Sequence, residues 1–360
     1  MAAVKLKLSS EQLVRWRELY ALAGRLDRID PWQWMGAGDC FGVRVPGWDE
    51  PCFVVFGGQS NAFRHIRFLL GWKAFYDLVS RLADPEKQVP SWLLEIRMVE
   101  LLFVDKDLLF DHELSFLRKL RRKPGDACTT PIFRSIVPGY HPWLPDASEL
   151  QLLEAALYQT FGMAMRVEAE SALLKERFPS EILVRAQNAK GAWFDVWETV
   201  KDIGDEEVEV RIESKRLSAI AKMPMQPVTM QLDLIFTPLK ILPEGDRPQT
   251  AYVLLAVDAK SGFILAGDLL QATEGIANMW ARIPELLLEI LEELGGCPEV
   301  IEIGNDRMAN LLRPLSEHLP FRMVRREKLG MLESAREHLS TFFLKRGKPA
   351  RGRAAGDGRA

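Results

Sequence analysis

Two neighbouring stretches govern the reading of this chain: MQLDLIFTP at 230–238 and AYVLLAVDAKSGFILAGDLL at 251–270. They hold three strand signals in succession, over 231–236, 252–257 and 263–270. The second and third are joined by Asp258-Ala259-Lys260-Ser261-Gly262, a turn-forming run. Helical spacing follows over 274–294, and Gly295-Gly296 ends it as a left-handed cap would. Pro284 lacks the N–H that a helix interior needs, so it kinks or splits that helix. A buried strand at 300–303, a helix at 306–318, an apolar piece at 321–324 and a last helix at 331–343 complete the pattern. Three meandering strands and then alternating helices and strands predict an α/β domain with a mixed sheet over 228–344.

Upstream the elements are less regular. Ser9 and Gln12 fit a capping box at the start of a helix that carries Leu13, Trp16, Leu19, Tyr20, Leu22 and Leu26. Strand signals at 41–45, 53–56, 66–70, 98–104 and 133–137 alternate with helical patterns at 72–82 and 111–123. Asp146 or Ser148 caps a long helix over 149–175. This interleaving predicts an α+β domain over 1–176. Residues 177–227 read as a connecting segment, with a hairpin (182–186 and 193–198) and a strand-like stretch at 208–212. The last piece, KRGKPARGRAAGDGRA at 345–360, reads as a disordered basic tail.

Composition narrows the function classes. Apolar residues at 48% and charged residues at 27% are those of a globular protein, which excludes wholesale disorder and fibrous repeats. The four cysteines, Cys40, Cys52, Cys128 and Cys297, share no C-x-x-C spacing, so a zinc ribbon or disulfide framework is not expected. No charge-free apolar run is long enough to span a bilayer, and the N-terminus has no apolar signal region. A cytoplasmic protein that makes no membrane contact is the expectation. The net charge is −3, and the basic tail concentrates six cations against one acid, leaving the body strongly acidic. Such a body argues against a broad nucleic-acid footprint and leaves any such contact to local patches or the tail.

The order of elements carries a resemblance. MQLDLIFTP and AYVLLAVDAKSGFILAGDLL resemble the first three strands of the RNase H-like catalytic core of retroviral integrases and DDE transposases. PEVIEIGND (298–306) resembles the fourth strand, and LGMLESAREHL (329–339) the last helix, so the likeness covers about 228–344. The whole chain also resembles two-part bacterial proteins with an uncharacterised N-terminal module. Carried over residue by residue, the resemblance implies an acidic triad of Asp233, Asp306 and Glu333. These would hold Mg2+ or Mn2+ for phosphoryl transfer or hydrolysis on nucleic acid, since two hard cations need carboxylate oxygens converging from several elements.

The same residues have a second reading. Asp306 is followed by Arg307-Met308-Ala309 instead of the glycine usual in the family, and Asn305 aligns with the second acid equally well. Asp233 alternates with Leu232 and Leu234, as on a strand's solvent face. Asp306 stands where a helix N-cap is expected, and Glu333 falls in a first turn, where acids complement the dipole. The alternative expectation is therefore a catalytically inactive RNase H-like interaction module. Asp258 reads as turn chemistry. The acidic cluster Asp105, Asp107, Asp111, His112 and Glu113 matches no ligand spacing, and the run 118–123 reads as a solvated basic helix end. His141 reads as a packed loop residue, and Trp32, Trp34, Trp72, Trp92 and Trp143 as core packing.

Overall fold

The computed structural model describes residues 8–58, 64–84, 92–125, 130–204, 208–210, 212–241 and 247–346. The chain divides into two compact units, one ending at Glu206 and the next beginning at Glu207. The basic tail from 347 onward, Cys128, and part of the 56–60 turn lie outside the described residues.

The first unit opens with α1 (Ser10–Ile29), whose capping box is formed as the sequence predicts: Ser9 Oγ accepts from Gln12 N, and Gln12 reaches back to Ser9 N. The strands β1 (Cys40–Val43), β2 (Cys52–Gly57) and β3 (His65–Leu70) follow. Then come α2 (Trp72–Ala83), β4 (Met98–Val104), α3 (Asp111–Lys119), β5 (Thr130–Ile136) and α4 (Ala147–Ala169). Asp146 is the N-cap of α4, accepting from Ser148 N and Glu149 N. The predicted 149–175 helix therefore begins slightly earlier and stops sooner.

The hairpin β6 (Glu181–Gln187) and β7 (Trp193–Thr199) is not part of a connector. It completes a seven-stranded sheet in the order β5-β4-β3-β2-β1-β6-β7, with β6 parallel to β1. The predicted boundary near 176 thus moves to about 206. Gly42 permits this pairing, because a Cβ there would stand 2.9 Å from a Val184 methyl. Alternation assigns the faces: Cys52, Val54 and Phe56 turn to the α1, α3 and α4 side, while Phe53 and Val55 turn to the α2 side. Of the five tryptophans, Trp32 and Trp72 are buried, and Trp34, Trp92 and Trp143 are half-buried against the two cores.

In the second unit, 208–210 and 212 form no strand. The first element is α5 (Ser214–Ile220). Next come β8 (Met225–Ile241), β9 (Gln249–Asp258), β10 (Ile264–Gln271), α6 (Ile276–Ala281), α7 (Ile283–Leu294), β11 (Cys297–Ile303), α8 (Asp306–Ser316), β12 (Arg322–Arg325) and α9 (Gly330–Arg346). Pro284 splits the predicted 274–294 helix by taking a first-turn place in α7, and Gly295 ends α7 in the left-handed conformation at φ +71°. The five-stranded sheet runs β10-β9-β8-β11-β12. Its first three strands form an antiparallel meander, and β11 and β12 run parallel to β8. This is a mixed sheet, as predicted.

Both faces of that sheet are covered. Met230, Leu232, Leu254 and Ala256 pack with α6, α7 and α8. Ile235, Val253, Leu255 and Val257 pack against Leu329, Leu332 and Ala335 at the start of α9. No described helix is long and apolar enough to cross a membrane.

Candidate functional site

Because β11 runs parallel beside β8 with Ile303 opposite Leu232, the residues just past the end of β11 come level with Asp233. Asp233 shares its face of β8 with Gln231 and Ile235, and that face lies under α9. It is therefore not on a solvent face, as the alternating pattern allowed. A Cβ on Gly304 would stand 3.6 Å from Asp233 Oδ2, so the chain passes close over the carboxylate.

Asn305 holds the strand-end position. Its side chain works in two directions: Oδ1 caps α8 by accepting from Met308 N at 2.9 Å, and Nδ2 donates to Asp233 Oδ1 at 3.2 Å. Asp233 Oδ1 also accepts from Leu234 N at 2.9 Å. Burial pushes the Asp233 carboxyl up to about 6, against the opposing pull of these two donors and of the guanidinium groups of Arg307 and Arg336.

Asp306 lies one residue too far along. It is the first residue of α8, it is exposed, and its carboxylate pairs with Arg325 Nη1 at 2.8 Å. Glu333 stands in the first turn of α9, its N–H donating to Leu329 O. Among the described residues no three of His, Cys, Asp and Glu come together in a way that could hold a metal ion, so the structure does not gather the predicted triad. The donor set around Asp233 does not suit Mg2+ or Mn2+ either. A hard cation wants several anionic oxygens, whereas this carboxylate meets an amide N–H and two cations.

Three features around the site were not predicted from sequence. The first is a relay on the α9 face of β8. Gln231 Oε1 accepts from Met331 N and Leu332 N at 3.0 Å, capping α9 from another element, while its Nε2 donates to Glu302 Oε2 at 3.0 Å. Glu302 Oε1 in turn accepts from Arg326 Nε at 2.7 Å. Burial works against the charge on Glu302, but the Gln231 donor and the Arg326 pair outweigh it and hold the carboxyl below its ordinary range. Truncating Gln231 to Ala strands two helix N–H groups and one buried carboxylate oxygen. The expected loss is about 2 kcal/mol, measured by urea denaturation.

The second feature is the cation set. Arg307 stacks over Trp280, its Cζ 3.8 Å from the ring centroid, and Arg336 approaches from α9. The third is Trp280 itself, whose buried Nε1–H has no acceptor among the described residues. Polar residues alternating into a strand were the available signal for Gln231; for Arg307, Arg336 and Trp280 the sequence held none.

The remaining predicted candidates have structural roles. Asp258 closes its turn by accepting from Lys260 N, Ser261 N and Ser261 Oγ, and Gly262 sits at φ +73° beside it. In the 105–113 cluster Glu113 is fully buried against Arg134, as a bidentate pair. His141 is buried in its loop.

Residues 16–185 match the family model of a domain of unknown function (DUF7309), and residues 216–340 match that of another domain of unknown function (DUF6930). The first match lies within the first unit and the second within the second unit. A search of curated proteins finds no match to the chain.

Proposed function

We propose that the second unit is an RNase H-like domain whose acid set no longer supports two-metal chemistry, and that the protein uses it as a binding module. Support for the fold comes from the strand order. The sheet places the third, second, first, fourth and fifth strands of the unit side by side, with only β9 antiparallel to the rest, and helices follow β10, β11 and β12. The observation that carries the loss of chemistry is the hydrogen bond from Asn305 Nδ2 to Asp233 Oδ1. An acid at the strand end would add negative charge for a cation to bridge, whereas the amide satisfies Asp233 internally. Asp306, the other residue that could supply that charge, is engaged by Arg325. Fold alone carries no activity, so the reading rests on these side chains.

Isothermal titration of the full chain with Mn2+ tests it. Wild type and Asp233→Asn are expected to give the same unsaturating heat, and a labelled oligonucleotide is expected to survive incubation in Mg2+. Saturable Mn2+ binding lost in Asp233→Asn, with metal-dependent cleavage, would instead establish phosphoryl transfer or hydrolysis on nucleic acid.

A further inference from the structure

The groups around Asp233 are unbalanced in one direction. One carboxylate faces two guanidinium groups, Arg307 from α8 and Arg336 from α9, so the cluster carries a net positive charge. Its hydrogen-bonding is unbalanced too. Asp233 Oδ1 is already taken by Leu234 N and Asn305 Nδ2, while each guanidinium offers several N–H donors in a planar fork. Trp280, under Arg307, adds a buried indole N–H with no acceptor among the described residues. Buried donors in native proteins nearly always find a partner, so an orphan beside an excess of cationic donors points to a missing acceptor. These groups come from α6, α8 and α9, with Asp233 on β8 fixing the point where they meet.

We infer that Arg307, Arg336 and Trp280 form a metal-independent oxyanion site that takes a phosphate group, either the free ion or a small monoester. This rests on the reading of the site as unsuited to metal. Guanidinium forks match tetrahedral oxyanions in geometry and charge, and they supply here the positive charge that divalent ions supply in a two-metal centre. Asp233 opposes the anion and sets a limit on affinity.

The test is isothermal titration of the full chain in EDTA, with inorganic phosphate in one arm and phenyl phosphate in the other. Saturable binding is expected. Arg307→Ala and Arg336→Ala should each weaken it about tenfold or more, the loss of a charge-assisted hydrogen bond. Arg336→Lys should fall between, and Arg313→Ala on α8 should match wild type. Asp233→Asn should bind more tightly, a gain that misfolding cannot mimic. Binding in both arms assigns a monoester site, and binding of inorganic phosphate alone assigns the free ion. Silence in both arms, or wild-type affinity in both alanine variants, overturns the site. Silence leaves the metal-free reading standing, whereas phosphate binding that appears only after adding Mn2+ overturns both.

Discussion

Asp233→Asn is expected to make the protein more stable at neutral pH, by up to about 3 kcal/mol. The carboxyl is pushed from an ordinary 3.8 to about 6 by burial under α9, so ionising it costs more in the folded state than in the unfolded chain. Between those two values the folded protein holds a proton that the unfolded chain has released, and stability therefore falls as pH rises through the window. Above pH 6 the full cost is present, and below about pH 4 it vanishes. The asparagine variant resembles the protonated acid, so its advantage should be near zero at pH 4, grow to pH 6 and then level off. Urea denaturation of both proteins at pH 4, 5, 6 and 7 checks this. A variant less stable than wild type at pH 7 would mean that Asp233 is compensated by something the described residues do not supply.

The largest expected loss lies in the first unit. Glu113 is fully buried at the start of α3, where its carboxylate accepts from Phe110 N at 2.8 Å and from Arg134 Nε and Nη2 at 2.7 and 3.0 Å. Arg134→Ala leaves that charge buried without its partner, which costs about 3 to 5 kcal/mol. Removing both charges is different, because the desolvation that each ion suffered is relieved as well. The double variant Glu113→Leu/Arg134→Met should recover most of the loss. Thermal unfolding of the single and double variants measures both effects. The same arrangement explains why the acidic cluster at 105–113 need not hold a metal: its buried member is neutralised by arginine, and EDTA should leave the transition unmoved.

Local chemistry was legible in the sequence wherever a single residue decides the outcome. Pro284 splits a helix because it lacks an N–H, Gly295 ends one because it tolerates positive φ, and Ser9 with Gln12 starts one by reciprocal capping. The order of elements in the second unit was equally readable, because each has its own period and punctuation. Long-range pairing was not. Nothing near Gly42 announces that Val184 will lie beside it, so the hairpin looked like a connector. The site failed to read for a related reason. At the junction of β11 and α8 a shift of one residue exchanges Asn305 for Asp306, and only the capping geometry shows which faces Asp233. Glu333 was singled out by its place in a family pattern. The α9 charge that acts on Asp233 is Arg336, three residues further along, and that depends on how the helix seats over β8.

The central claim is that Asp233 is a buried acid held by an amide and flanked by cations, with no divalent ion as its partner. Carboxyl carbon NMR of the full chain, assigned with Asp233→Asn and titrated with and without Mg2+, tests it most directly. The account predicts one aspartate midpoint near 6 that Mg2+ does not move. A midpoint that drops below 4 when millimolar Mg2+ is added would contradict it.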